Sequence, residues 1–255
     1  MKTKHLITLF FLVFCVTIAT AQKPRKVKKV SEKLSFSTAK YEVLKSNKNK
    51  KHGFYKEYDD YYRRLIVSGQ YDLGKEEGLW KEWYQSEDLK SEGNYLNDEE
   101  VGVWIFYGDV GNLLHKYDYD AKTLLYSKEC GNDKEYKVLI NGESVWKTLD
   151  CPPSILGGMN SLTVDINSAY IFSKRRFNSN GVGGVYANIS ILIKKDGTVG
   201  DMKANDSFLN PDYIAILEEA INNSEVIWLP AELNEEKVDA YVNFKSRITS
   251  SRRKE

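Results

Sequence analysis

Few residues of this 255-residue chain have the types and spacing that catalytic chemistry requires. Its histidines number 3. His5 lies in an N-terminal apolar stretch, and His52 and His115 are too far apart in sequence to form a two-histidine metal motif. Both are expected on the surface, near turns. No serine sits in a Gly-x-Ser-x-Gly elbow, and Cys130 and Cys151 lack a recognisable His/Asn setting for a thiol nucleophile. Gly181-Val182-Gly183-Gly184 precedes an expected strand, whereas a phosphate-binding loop opens a helix. Asp196-Gly197 stands without the other ligands of a calcium loop. The acidic stretches Lys75-Glu76-Glu77 and Asp98-Glu99-Glu100 fall at equivalent turns, where they are expected to solvate the turn and blunt a sheet edge. These residues point to a non-enzymatic protein, with no catalytic residue, no metal site, no cofactor and no evident small-molecule substrate. What remains is the chemistry of contact. The candidate partner-binding residues are Trp80, Trp83, Trp104 and Tyr107, with Val238, Tyr241 and Phe244 near the C-terminus.

The first four belong to a repeat. Gly53-Phe54-Tyr55, Gly78-Leu79-Trp80 and Gly102-Val103-Trp104 begin three copies of one pattern, spaced 25 and then 24 residues apart. Leu65, Leu89 and Leu113 keep the same register, as do Tyr71, Tyr95 and Tyr119. A period of this length implies stacked units, none of which can bury its apolar face alone. Within one unit, residues 79–84 alternate as a strand, with Trp80 and Tyr84 on one face and Trp83 on the other. Residues 85–88 make a polar turn. Residues 89–95 return, with Leu89, Ser91, Gly93 and Tyr95 sharing a face. Each unit reads as a hairpin and the array as an antiparallel meander. After Tyr119 the repeat fades. Residues 136–140 and 143–147 flank Asn141-Gly142, a strong type I′ hairpin signal, and this hairpin is expected to cap the array.

The two ends carry different information. Lys2 and Lys4 precede an apolar run at 6–18 that is short for a bilayer span. Ala19-Thr20-Ala21 then fits a leader cleavage site, which makes Gln22 the expected first mature residue. Residues 22–52, rich in lysine, are expected to be a solvated linker with one short strand at 36–44. Cys130 and Cys151 would then be an even pair in an oxidising compartment. Sequence leaves open a disulfide or two separate thiols, because it gives no Cα separation. With 37 basic against 36 acidic residues, the net charge of +1 offers no field for nucleic acid.

Asp150-Cys151-Pro152-Pro153 breaks regular structure and marks a boundary. Beyond it, 160–172 has the periodicity of a helix. Residues 185–194 alternate, with Val185, Ala187, Ile189, Ile191 and Ile193 on one face. Lys195-Asp196-Gly197 turns the chain into 198–204. Residues 211–222 form a second expected helix, with Asn210 as N-cap and Pro211 in the first turn. A last strand covers 238–248.

Two resemblances attach to these patterns. Gly-x-Trp-x-x-Trp/Phe-Tyr, a polar turn, then Leu-x-x-x-Gly-x-Tyr resembles the bacterial variant of the MORN repeat over about 53–119. That family implies an interaction or scaffold module, and no catalytic residue carries over. Pro153 with Gly157-Gly158, the Gly-x-x-Gly before Val185, Lys195-Asp196-Gly197, Trp228 with Pro230-Ala231, and 238–244 resemble in order the C-terminal domain of TonB-type proteins. That resemblance implies a periplasmic domain that grips a peptide of an outer-membrane transporter by edge-to-edge strand addition.

The expected fold class is therefore β-rich plus α+β: an antiparallel β-meander of aromatic repeats, then a small TonB-like α-β-β-α-β domain. The expected segments are a signal peptide (1–21), a basic linker (22–52), the repeat meander with its capping hairpin (53–148), the TonB-like domain (152–248) and a basic tail (249–255). The expected function is that of an exported, periplasmic or envelope-associated protein acting by protein–protein binding, with a protein of the cell envelope, such as an outer-membrane protein, as partner. The alternative is a membrane-anchored TonB-type energy transducer for outer-membrane transport.

Overall fold

The computed structural model describes residues 25–158, 185–204, 215, 218–219, 221–223 and 226–248. The expected leader at 1–21, the expected helix at 160–172, the glycine run at 181–184 and the expected basic tail at 249–255 lie outside the described residues. Of the second expected helix, Ala215, Glu218, Glu219, Ile221 and Asn222 are described and are helical.

Among the described residues, nine strands form one antiparallel meander in chain order. They are β1 (Val27–Lys33), β2 (Ser37–Leu44), β3 (Lys51–Asp59), β4 (Leu65–Asp72), β5 (Lys75–Trp83), β6 (Leu89–Leu96), β7 (Glu99–Tyr107), β8 (Leu113–Asp118) and β9 (Thr123–Ser127). Two kinds of turn alternate along it. Leu73-Gly74 and Asn97-Asp98 are two-residue turns with both φ angles positive, the type I′ geometry whose twist matches that of the flanking strands. At the other end the turns are wider, and their closing hydrogen bonds repeat. The Tyr84 N–H donates to the Asp88 carbonyl at 2.9 Å, and the Gly108 N–H to the Asn112 carbonyl at 2.8 Å. The matching bond of the first unit, from the Asp59 N–H to the Arg64 carbonyl at 3.0 Å, spans one residue more. That extra residue is why the first interval of the repeat is 25 rather than 24. The Asp59 carboxylate organises the longer turn by accepting the N–H groups of Tyr61, Tyr62 and Arg64. The Tyr62 amide chiefly, with those of Arg64 and Tyr61, holds this carboxyl below the usual range.

Strand alternation gathers the rings on one face. Tyr41, Tyr55, Tyr71, Trp80, Tyr95, Trp104, Phe106 and Tyr119 form a continuous row with centroid separations of 5.1 Å to 6.3 Å. Trp80 lies across Gly69 of the preceding strand, and Trp104 lies across Gly93. A Cβ at either glycine would fall inside the van der Waals envelope of the indole. Both indoles are 6% exposed, and Trp104 also donates its ring N–H to the Asn94 carbonyl at 3.2 Å. Cross-strand aromatic pairs contribute about 0.2–1 kcal/mol each relative to Ala–Ala, so the row as a whole makes the sheet cohere. Trp80 and Trp104, expected as part of an exposed partner surface, are instead packed by the array itself, because the glycine on the preceding strand leaves space for each ring. The opposite face carries single exposed apolar side chains such as Phe54, Leu79 and Val103.

The lysine-rich segment expected as a linker is part of this sheet. Val27 to Lys33 pair residue by residue with Leu44 to Thr38, and β2 pairs in turn with β3. Lysines suit β1 because it is the sheet's edge, where charge discourages further pairing.

The second correction concerns the hairpin of β10 (Glu135–Ile140) and β11 (Glu143–Thr148). Asn141 and Gly142 form its turn with φ of 52° and 85°. The hairpin does not extend the nine-stranded sheet. β10 hydrogen-bonds to the last strand, so that β11-β10-β17-β13-β14 run side by side. Here β13 is Val185–Ile193, β14 is Val199–Ala204 and β17 is Glu236–Ile248, while β16 (Ala231–Leu233) also pairs with β17. Ile189, Ile191, Ile193, Val138, Ala231 and Ala240 are fully buried. The burial of alternate isoleucines in β13 explains why that strand takes one register on β17, from Val185 opposite Ile248 to Ile193 opposite Ala240. A short pair of β12 (Ser154–Ile155) and β15 (Trp228–Leu229) completes the described strands.

Replacing Gly93 by alanine should lower unfolding free energy by about 1–3 kcal/mol through overpacking against Trp104. Gly102→Ala meets no neighbouring atom, and should cost only the left-handed backbone strain of about 1–2 kcal/mol. Urea titration of both variants, with near-ultraviolet circular dichroism to follow the tryptophans, checks this. A loss of tryptophan dichroism confined to Gly93→Ala is the expected outcome.

Candidate functional site

Two places combine shape with unusual chemistry. The first is a fork in the second sheet. Ala240 pairs with Ile193 of β13 on one side and with Val138 of β10 on the other. Pairing with β13 continues to Ile248, but pairing with β10 consists of Val138 with Ala240 and Leu139 with Asp239. Among the described residues, no strand covers the β10-facing edge of β17 beyond Ala240. The strands diverge there, and a cavity of about 590 Å³ opens between them, lined by Tyr136, Pro152, Pro153, Ser154, Val242 and Asn243 among others. Backbone groups on such an edge are available to an extended chain.

The wall of this fork is fixed by covalent and hydrogen bonds. Cys130 and Cys151 form a disulfide with Cα atoms 4.1 Å apart. Cys151 also forms an isolated bridge with Glu232, whose N–H donates to the Cys151 carbonyl at 2.8 Å. The Gly131 N–H donates to the Asp150 carbonyl at 2.8 Å. The disulfide therefore joins the chain leaving β9 to the border of β16. Closing a loop of this size contributes about 3 kcal/mol in the chain-entropy account.

A second tie runs through His115. Both histidines were expected at the surface. His52 is partly shielded and lies 2.9 Å from the Asp72 carboxylate, whereas His115 is 1% exposed. Strand parity is the reason: His115 shares the ring face with Tyr117, and the segment around Leu156 covers that face, packing with Tyr117 and Leu229. The Gly157 N–H donates to His115 Nδ1 at 3.2 Å. Nδ1 is thus an acceptor, the proton sits on Nε2, and the ring is neutral. Burial depresses its pKa from 6.5 to about 4.

The second place is the ring face itself. Tyr71 donates its hydroxyl to Glu76 at 3.0 Å, and Tyr95 donates to Glu100 at 3.3 Å. These are the same bond one repeat apart. Tyr55 donates to Glu57 at 2.8 Å, and the Ser37 hydroxyl reaches the same carboxylate. Burial, and then the Tyr71 hydroxyl bond opposed by neighbouring acidic charge, set the Glu76 carboxyl, with a net rise above its ordinary value.

The remaining expected site residues are spread through these frames. Trp83 and Tyr107 are half-buried, and Tyr107 donates to Glu92 at 3.2 Å. Val238 pairs with Ala231 and packs on Val138, Leu149 and Ala240. Tyr241 is 7% exposed, with the Lys137 ammonium 5.1 Å from its ring centre. Phe244 is half-buried opposite Ile189. Val238 and Tyr241 are thus packing residues: Val238 is paired with Ala231 of β16 and Tyr241 with Leu192 of β13, and both side chains are turned into the neighbouring packing. Sequence reasoning missed Tyr136, Val242 and Asn243, and no local signal marks them, since the fork depends on which strands meet. Glu76 and Glu100 did have a signal, being two residues before Gly78 and Gly102.

Comparison of the chain with family models, with curated proteins and with solved structures gives no significant match.

A histidine whose folded pKa is depressed stabilises the fold fully above about 6.5, and this contribution is lost as pH falls from 6.5 towards 4. Its size is on the order of 2–3 kcal/mol. Chemical denaturation at pH 7 and pH 4.5 should show wild type losing more stability than His115→Leu. Parallel losses in the two proteins would remove His115 as the acid-sensitive tie.

Proposed function

We propose that this is an exported, non-enzymatic protein of the bacterial cell envelope that binds an extended segment of a protein partner. The fork between β10 and β17 carries the proposal, since among the described residues it combines an unpaired strand edge with an adjoining cavity. An incoming strand would extend the short β10–β17 ladder past Ala240, with backbone bonds supplying affinity and the fork cavity supplying selection. Export is supported by the leader pattern at 1–21 and by the disulfide, a bond that persists in oxidising compartments. In this reading the C-terminal sheet is a TonB-like domain whose hairpin β13–β14 and last strand β17 supply the frame, and the nine-stranded sheet is a MORN-like scaffold. Its partner is a protein of the envelope, with an outer-membrane protein as the leading class.

The alternative is an anchored energy transducer of the TonB type. It uses the same strand edge but requires residues 6–18 to stay attached to the membrane.

A photo-crosslinking residue at Asn243 should give one discrete covalent adduct in intact cells, while the same residue at Ser144 on β11 should give none. Val242→Pro, which removes a backbone N–H from β17 beside the cavity, should reduce the Asn243 adduct at least tenfold. Equal adducts from both positions would refute strand addition at the fork. N-terminal sequencing of the mature protein separates the two readings: a start at Gln22 excludes the anchored transducer, and an intact Met1 supports it.

A further inference from the structure

The ring face contains an internal model of cation recognition. The Lys51 ammonium lies 5.0, 4.9 and 4.8 Å from the ring centres of Tyr41, Tyr55 and Tyr71. Three phenol rings thus surround one cationic group, an arrangement stabilised by the ring quadrupoles. Lys51 stands two residues before Gly53. The residues two before Gly78 and Gly102 are Glu76 and Glu100. The first unit therefore supplies its own ammonium ion, while the next two units place a carboxylate at that position.

The rings remain in the second unit. Tyr71 and Tyr95 stand nearly perpendicular to the Trp80 indole, at interplanar angles of 88° and 78° and centroid separations of 5.3 and 5.8 Å. Tyr55 adds a fourth ring 5.7 Å from Trp80. A half-enclosed cavity of about 200 Å³ lies on this group, and its lining also includes Glu57, Glu76 and Glu82. Trp80 itself is buried, with a ring N–H that has no hydrogen-bond partner among the described residues.

Two ammonium groups lie near the cavity: Lys81, in its lining, pairs with Glu92 at 2.7 Å, and Lys51, over the Tyr71 ring, favours the charged form of Glu76 without contacting it as an ion pair. Glu82 is paired with Lys90 at 2.9 Å. Glu57 accepts hydroxyl groups from Ser37 and Tyr55, and Glu76 accepts one from Tyr71. Among the described residues, neither Glu57 nor Glu76 forms a salt bridge. Neutral hydroxyl donors hold the carboxylates in place, and the Lys51 ammonium offsets the Glu76 charge only in part. Described acidic residues here do not converge as a metal-binding group of three or more. Aromatic walls with carboxylates at their border suit a larger, weakly hydrated cation better than a metal ion.

We propose that this cavity over Trp80 binds an alkylammonium group, with Tyr71, Trp80 and Tyr95 as its aromatic walls and Glu57 and Glu76 as its counter-charges. The cavity admits an ammonium head with a few carbon atoms, as a free amine or as the end of a lysine side chain. This site lies on the other sheet from the β10–β17 fork and stands independently of strand binding there.

Titration of the full mature chain, followed by tryptophan fluorescence and calorimetry, tests it. The probes are choline, its uncharged carbon isostere 3,3-dimethylbutan-1-ol, and Nα-acetyl-lysine amide. Saturable binding of a cationic probe is expected with Kd on the order of 1 mM, and at least tenfold weaker binding of the isostere. Tighter binding of choline identifies the quaternary amine as the preferred source, and tighter binding of the lysine derivative identifies the side chain. Glu76→Gln keeps an acceptor for Tyr71 and should weaken the preferred cation about tenfold, whereas Glu143→Gln on β11 should leave it unchanged. No saturable response to either cation, or equal binding of choline and its isostere, overturns the site. So does an unchanged affinity in Glu76→Gln. The choline–isostere comparison uses wild-type protein, so the test does not depend on any variant folding.

Discussion

The contact of an indole with a glycine on the next strand underlies the whole nine-stranded sheet. Trp80 on Gly69 and Trp104 on Gly93 bring ring and backbone together at a spacing that any side chain would prevent. Among the described residues, the side chains packed on Trp80 and Trp104 all come from the sheet itself. Laying each large ring flat on the neighbouring unit buries it within that sheet. The tyrosines then stand on edge between the indoles, with their hydroxyls held by Glu57, Glu76 and Glu100. Regular turns follow from this contact, because a change in strand length would move the next indole off its glycine. The one irregular turn, at Asp59–Arg64, adds its residue outside the paired strands and so leaves the ring register intact.

The two sheets have different physical character. In the meander each strand pairs with its sequence neighbours, and burial comes from rings in a row. In the second sheet, Val138 meets Ala240 across about a hundred residues of sequence, and burial comes from aliphatic side chains at full enclosure. They are joined by the Cys130–Cys151 bond, by the Gly157–His115 hydrogen bond and by Leu156 and Leu229 packing on Tyr117. The link combines a covalent bond, a polar bond and apolar packing, so the relation of the sheets is sensitive to redox state and to acid in different ways.

Local patterns were legible in sequence to the extent that local forces decide them. The 24-residue period, the alternation of Ser91, Gly93 and Tyr95, and the Asn141-Gly142 turn all depend on neighbours within one hairpin. The spacing of eleven residues between Gly69 and Trp80, repeated between Gly93 and Trp104, also contained the indole–glycine contact, although it reads first as two separate motifs. The destination of β10 was not legible, because a hairpin sequence says how two strands join and nothing about the third strand they meet. β1 was obscured by its lysines, which mark solvated chain and sheet edges alike. His115 could be placed only by carrying strand parity from Tyr117, and its cover comes from distant residues. The fork has the same origin as the misplacement of β10: it exists where two non-local pairings end at different points.

The long separation between β10 and β17 also orders events during synthesis. Hairpins of the meander can close one by one as the chain emerges, since each strand's partner is adjacent in sequence. The hairpin β10–β11 must wait for β17, which follows it far along the chain. Until then it presents a paired but uncovered strand edge beside a finished scaffold. The chain thus carries its own interval of vulnerability, set by the delay between the emergence of Thr148 and that of Ala240.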